Sequence, residues 1–87
     1  MANIASAIKR DRQNTKRRAY NRHYRSSMRT EIKKLRTAIE SGDGDAAKAQ
    51  LPITVAIIQR VAQKGIIHRK NAARRVSRLS KAVNTLS

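Results

Sequence analysis

The side chains with chemistry to offer in this chain are arginines set one helical turn apart. Arg18, Arg22, Arg25 and Arg29 recur at steps of four, three and four. At about 100° per residue that spacing draws four guanidinium groups into one stripe along a helix. A planar guanidinium donates in a fork that matches phosphate oxygens, and it stacks on bases. Lys9, Arg12 and Lys16 lie roughly opposite the stripe. Acid–base and metal chemistry have far less to work with. His23 sits among arginines and His68 at a helix start, and neither has a carboxylate nearby in sequence to complete a proton-transfer pair. The Asp43-Gly44-Asp45 triplet lacks the remaining ligands of a calcium loop, so it reads as a capped turn. No Gly-rich phosphate loop and no nucleophile motif is present. The residues point to binding, with no catalytic residue, no metal ligand and no cofactor.

The overall balance agrees. Across 87 residues, 21 Lys and Arg face 5 Asp and Glu for a formal charge of +16, far beyond the need of solubility. Thirteen of the cations are Arg. Such a charge implies a polyanionic partner, nucleic acid before an anionic membrane. With 39% hydrophobic residues, no Phe and no Trp, the length suits one small domain with a thin aliphatic core. The absence of cysteine excludes disulfides and thiolate metal sites and fits a reducing compartment. No secretory signal is visible, and the longest apolar stretch, Leu51 to Ile58, is broken by Pro52 and Thr54 and is too short to span a bilayer. The chain reads as soluble. An organellar transit peptide would explain the Arg-rich opening but not the basic C-terminal third.

Three helices must position these groups. The stretch from Lys9 to Arg36 has no glycine or proline and only two acids, and helix one is expected over about 6–41, after a lead-in with Asn3 or Ser6 as cap and Ile4, Ala7 and Ile8 as a small apolar contact. Gly42 closes it. Helix two is expected over about 45–64, with Ala47, Leu51, Ile58 and Ala62 inside and Val55 and Val61 on its flanks. Pro52 either kinks that helix or marks its true start, and the continuous periodicity favours the kink. Lys64, Gly65 and Ile66 match a glycine C-cap followed by an apolar residue folding back. Helix three is expected over about 68–86, buried along Ala72, Val76, Leu79, Val83 and Leu86, with Lys70, Arg74, Arg78 and Lys81 outward and Arg69 and Arg75 on the flanks. Two short connections make the fold all-α: an up-down-up three-helix bundle with a long N-terminal helix extending beyond it.

Helix one has two different halves. Met28, Ile32, Leu35 and Ile39 form an apolar seam, but its continuation upstream lands on Asn21, Arg17, Asn14 and Arg10, which cannot pack on a protein helix. The upstream half is polar all round and repels itself, so a polyanion must supply its missing stabilisation. Tyr20 and Tyr24, the only aromatics, lie on the edge of the seam, placed either to stack on bases or to pack over the open end of the bundle. Charge also sorts along the chain: Thr37 to Gln59 holds Glu40, Asp43 and Asp45 against Lys48 alone, so the first turn should point away from the polyanion.

Longer segments narrow the choice. MANIASAIKR, RRAYNR, RTEIKKL, AIESGD and above all KGIIHRKNAARRVSRL resemble the bacterial small-subunit ribosomal proteins numbered twenty in the S series, over nearly the whole chain. Asp11 within the basic run and Pro52 in the middle helix depart from that pattern. The resemblance implies a three-helix bundle with an extended first helix that binds 16S ribosomal RNA (rRNA) directly, as a structural part of the small subunit in the cytoplasm. Carried over by position, Lys9, Arg10, Arg12, Lys16, Arg17, Arg18, Arg22, Arg25 and Arg29 are the RNA contacts of the rod. His68, Arg69, Lys70, Asn71, Arg74, Arg75 and Arg78 are those of a second surface. Few protein contacts are expected.

Two other classes fit less well. A nucleoid-type or helix-turn-helix DNA binder presents one recognition face and is usually a symmetric dimer, and no spare apolar seam for a homo-oligomer is left. A membrane-active cationic helix needs a large apolar face opposite its charge, which Lys9 to Arg25 lack.

Overall fold

A computed structural model describes residues 2–86, with side chains from Ser6 onward, as three helices: α1 (Ala2–Glu40), α2 (Gly44–Gln63) and α3 (Arg69–Asn84). No strand occurs among the described residues. α1 begins earlier than the capping residues suggest, at Ala2, so the expected irregular lead-in is helical. Ile8 is exposed and makes no core contact, and the side chain of Ile4 lies outside the described residues. At 1.5 Å per residue α1 is about 58 Å long, nearly the 65 Å length of the molecule.

The two turns close as glycine caps. Gly42 takes φ +74°, its amide donates to Ile39 O at 3.1 Å, and Asp43 N donates to Ala38 O at 3.1 Å. The Asp43 carboxylate then accepts from Ala46 N at 3.1 Å and starts α2. At the other end Gly65 takes φ +75°, Ile66 N donates to Val61 O at 3.1 Å, and Ile66 folds back into the core. These short reversals make successive helices antiparallel. α2 packs against both neighbours, whereas the backbones of α1 and α3 come close at few points.

The core is aliphatic and thin. Met28, Ile32 and Leu35 come from α1, Ala47, Ile58 and Val61 from α2, Ile66 from the second turn, and Ala72, Leu79 and Val83 from α3. Ile39, Val76 and Leu86 are half-buried beside them. The inward face of α2 differs from expectation. Val61 is fully buried rather than flanking, Leu51 and Ala62 are only half-buried, and Thr54 is fully buried. A middle helix serves two partners, so its covered arc is wider than a single apolar seam and takes in a polar residue.

Thr54 is tolerated there because its hydroxyl is satisfied. It donates toward Gln50 O at 3.1 Å and Glu31 O at 3.2 Å, while Gln50 Nε2 donates to Thr54 Oγ1 and to the Glu31 carboxylate, tying α2 to α1. Pro52 does not mark the start of α2: the helix runs unbroken through it from Gly44. The proline and Lys48, whose carbonyl it leaves without an intrahelical donor, are both exposed, so water can take that bond.

Candidate nucleic-acid interface

Beyond the bundle α1 is bare. Every described side chain from Ser6 to Tyr20 is exposed, and Tyr24 is the first along α1 to pack on the core. Lys9, Arg10, Arg12, Lys16 and Arg17 thus stand in solvent around the rod. Among the described residues one ion pair forms, Lys34 with Glu31 at 3.4 Å, so no cation of the rod is ion-paired there.

The expected stripe is assembled. Arg18, Arg22, Arg25 and Arg29 line one groove with Asn21 and Ser26. Arg25 has a second task, since its guanidinium donates to Ile66 O at 3.3 Å and fastens the rod to the second turn. Next to it, Tyr24 packs on the core while Tyr20 remains exposed beside it. Their rings lie 4.7 Å apart, and Lys64 Nζ lies 5.2 Å from the Tyr20 centroid and 4.8 Å from that of Tyr24.

The residues expected on α3 divide. His68 is its N-cap, with Nδ1 accepting from Lys70 N at 3.1 Å, and Lys70 is exposed. Arg69 faces the other side, on an apolar groove with Gln59, Ala62, Ala72 and Val76. Asn71, Arg74, Arg75 and Arg78 gather in a cleft against α1, where they meet Arg36 over Ile32 and Leu79. Arg75 is held there by a 2.8 Å bond from its Nε to Asn71 Oδ1.

Arg36 is a residue that the sequence reading passed over. Its signal was legible: it lies seven residues beyond Arg29, two turns along the same face. Arg29, Lys33, Arg36 and Arg75 line a further groove, which Glu40 closes at the bundle end. Because it shares Arg29 with the rod stripe and Arg36 and Arg75 with the α3 cleft, the two expected contact surfaces form one continuous track. Of the acids near the first turn, Glu40 borders this track and Asp43 and Asp45 flank the turn itself.

No group of three or more His, Cys, Asp or Glu capable of holding a metal occurs among the described residues, and no helix there is long and apolar enough to cross a membrane. The fold and the track define a basic all-helical protein whose exposed cationic rod grows out of a small aliphatic bundle. The chain belongs to the ribosomal protein S20 family, whose profile matches residues 2–84. It is similar to the small ribosomal subunit protein bS20 of Trichlorobacter lovleyi, 54% identical over 86 residues covering 99% of each chain. That of Geotalea daltonii is 51% identical over 87 residues and 100% of each chain, and that of Saccharophagus degradans 49% identical over 87 residues. The family resemblance drawn from the sequence segments is therefore correct.

Proposed function

We propose that this chain is a single-domain, non-enzymatic structural component of the small ribosomal subunit in the cytoplasm, and that it binds 16S rRNA directly. Two contact sets carry the binding. On the rod they are Lys9, Arg10, Arg12, Lys16, Arg17, Arg18, Arg22, Arg25 and Arg29. On α3 they are His68, Arg69, Lys70, Asn71, Arg74, Arg75 and Arg78, with Arg36 joining the two. The relatives are small ribosomal subunit proteins by name, which supports the assembly.

The observation that carries the reading is the bare rod, cationic on every side and unpaired with its own acids. Such a helix has no internal source of stability, and RNA phosphates packed around it remove that repulsion. The helix starts agree: neither α1 nor α3 carries an acid in its first turn, and α3 opens on Arg69 and Lys70, against its own dipole. Phosphate contacts position a protein without reading sequence, which suits a structural role.

The test is the salt dependence of binding to small-subunit RNA. Replacing Arg18, Arg22 and Arg29 together by Gln should weaken binding and lower the slope of log affinity against log salt by roughly 2 to 3, with bundle helicity unchanged. These three leave the Arg25 tie to Ile66 intact. An unchanged slope removes the stripe from the RNA contacts.

A further inference from the structure

α1 and α3 share the core through side chains such as Ile32 and Leu79, but their backbones come close at few points. Between them lies the cleft of about 290 Å³ in which Arg36 of α1 faces Arg74, Arg75 and Arg78 of α3. No acidic residue lines it, and no ion pair reaches any of the four among the described residues. Arg75 is half-buried, and the bond from its Nε to Asn71 leaves the two terminal nitrogens of its fork free to donate. Four like charges in a partly covered cleft repel one another more strongly than on an open surface. Unoccupied, this seam carries a repulsion that opposes the apolar core beneath it. With a tetrahedral oxyanion between the helices, the same forks converge on one group.

We propose that this cleft is a binding site for a single phosphate group, and that the bound oxyanion adds a polar tie between α1 and α3 above the apolar core they share. Docking of the third helix is thereby linked to anion binding. The inference rests on the RNA-binding reading only for the natural source of the phosphate, since an RNA phosphodiester and free inorganic phosphate offer the same chemistry.

The experiment compares thermal unfolding of the full chain in potassium phosphate and in potassium chloride at matched ionic strength and pH. Three proteins are used: the parent, Arg36→Gln/Arg75→Gln, and Arg18→Gln/Arg22→Gln. Phosphate should raise Tm of the parent and of the rod variant by on the order of 5 °C over chloride. The cleft variant should keep only a smaller rise shared by all three, yet be no less stable than the parent in chloride, because a repulsion has been removed. The general strengthening of apolar burial by phosphate is common to all three and cancels. Line broadening of inorganic phosphate in phosphorus NMR reports binding without reference to folding, and it should fall more in the cleft variant than in the rod variant. An equal Tm rise in all three proteins overturns the proposal, as does a cleft variant less stable than the parent in chloride.

A saturating short RNA duplex separates the sources. If the duplex abolishes the extra effect of phosphate, the cleft takes RNA backbone; if the two effects add, it takes the free ion, and either result upholds the site. Failure of the parent to bind RNA while the phosphate effect persists would sink the ribosomal reading alone. RNA binding with no cleft-dependent phosphate effect would sink this proposal alone.

Discussion

Lys64, the C-cap of α2, donates a 2.6 Å hydrogen bond to the phenol of Tyr20, 44 residues earlier in the chain. Its ammonium also lies 4.8 Å from the ring centroid of Tyr24. Tyr20 is the most N-terminal described side chain with a tertiary partner, so this contact and the Arg25–Ile66 bond set the direction in which the rod leaves the bundle.

The contact should be visible in a pH titration. The hydrogen bond from Lys64 holds the Tyr20 phenol below its ordinary value of 10.0, and the same bond holds Lys64 above 10.5. A lowered acid adds stability as pH rises from its folded value toward 10.0; a raised base loses its contribution as pH climbs from 10.5 to its folded value. The pair is therefore strongest near pH 10. Phenolate absorbance should begin at lower pH in the parent than in Lys64→Met, and because both groups are exposed the difference should shrink at high salt. Identical curves would leave the tie without force in solution.

The buried polar tie between α1 and α2 has a measurable worth. Thr54→Val removes the hydroxyl that serves Glu31 O and Gln50 O, and it deprives the Gln50 amide of one acceptor. Thr54 is 0% exposed, so no water replaces the loss. The substitution should cost about 1 kcal/mol, seen as a lower urea midpoint at unchanged m-value.

Hydrogen exchange of the free chain should divide at the tyrosines. Amides from Lys9 to Ala19 belong to a helix that no side chain supports, so they should exchange close to the unfolded rate. Those of Leu35, Ile58 and Val61, all fully buried, should be the slowest. RNA should then protect the rod. Strong protection of the rod without RNA would contradict the reading of a helix stabilised by its partner.

Much of this molecule was legible before any tertiary contact was known. Helix periodicity placed Met28, Ile32, Leu35, Ala72, Leu79 and Val83 inward, because a 3.6-residue repeat leaves one face to bury. Gly42 and Gly65 marked both turns, since each takes a positive φ that other residues rarely adopt. The unpaired charge of the leading half already implied a polyanion, and the segments around RRAYNR and KGIIHRKNAARR already suggested the family. What the fold alone decided were relationships across helices. Thr54 is buried because α2 is covered from two sides, a fact that apolar spacing in one helix cannot carry. Lys64 lies on Tyr20, and Arg36 meets Arg75, because antiparallel packing brings distant turns to the same level. Local periodicity determines which side of a helix turns inward; only the packing of whole helices determines which outward side chains come to share a groove.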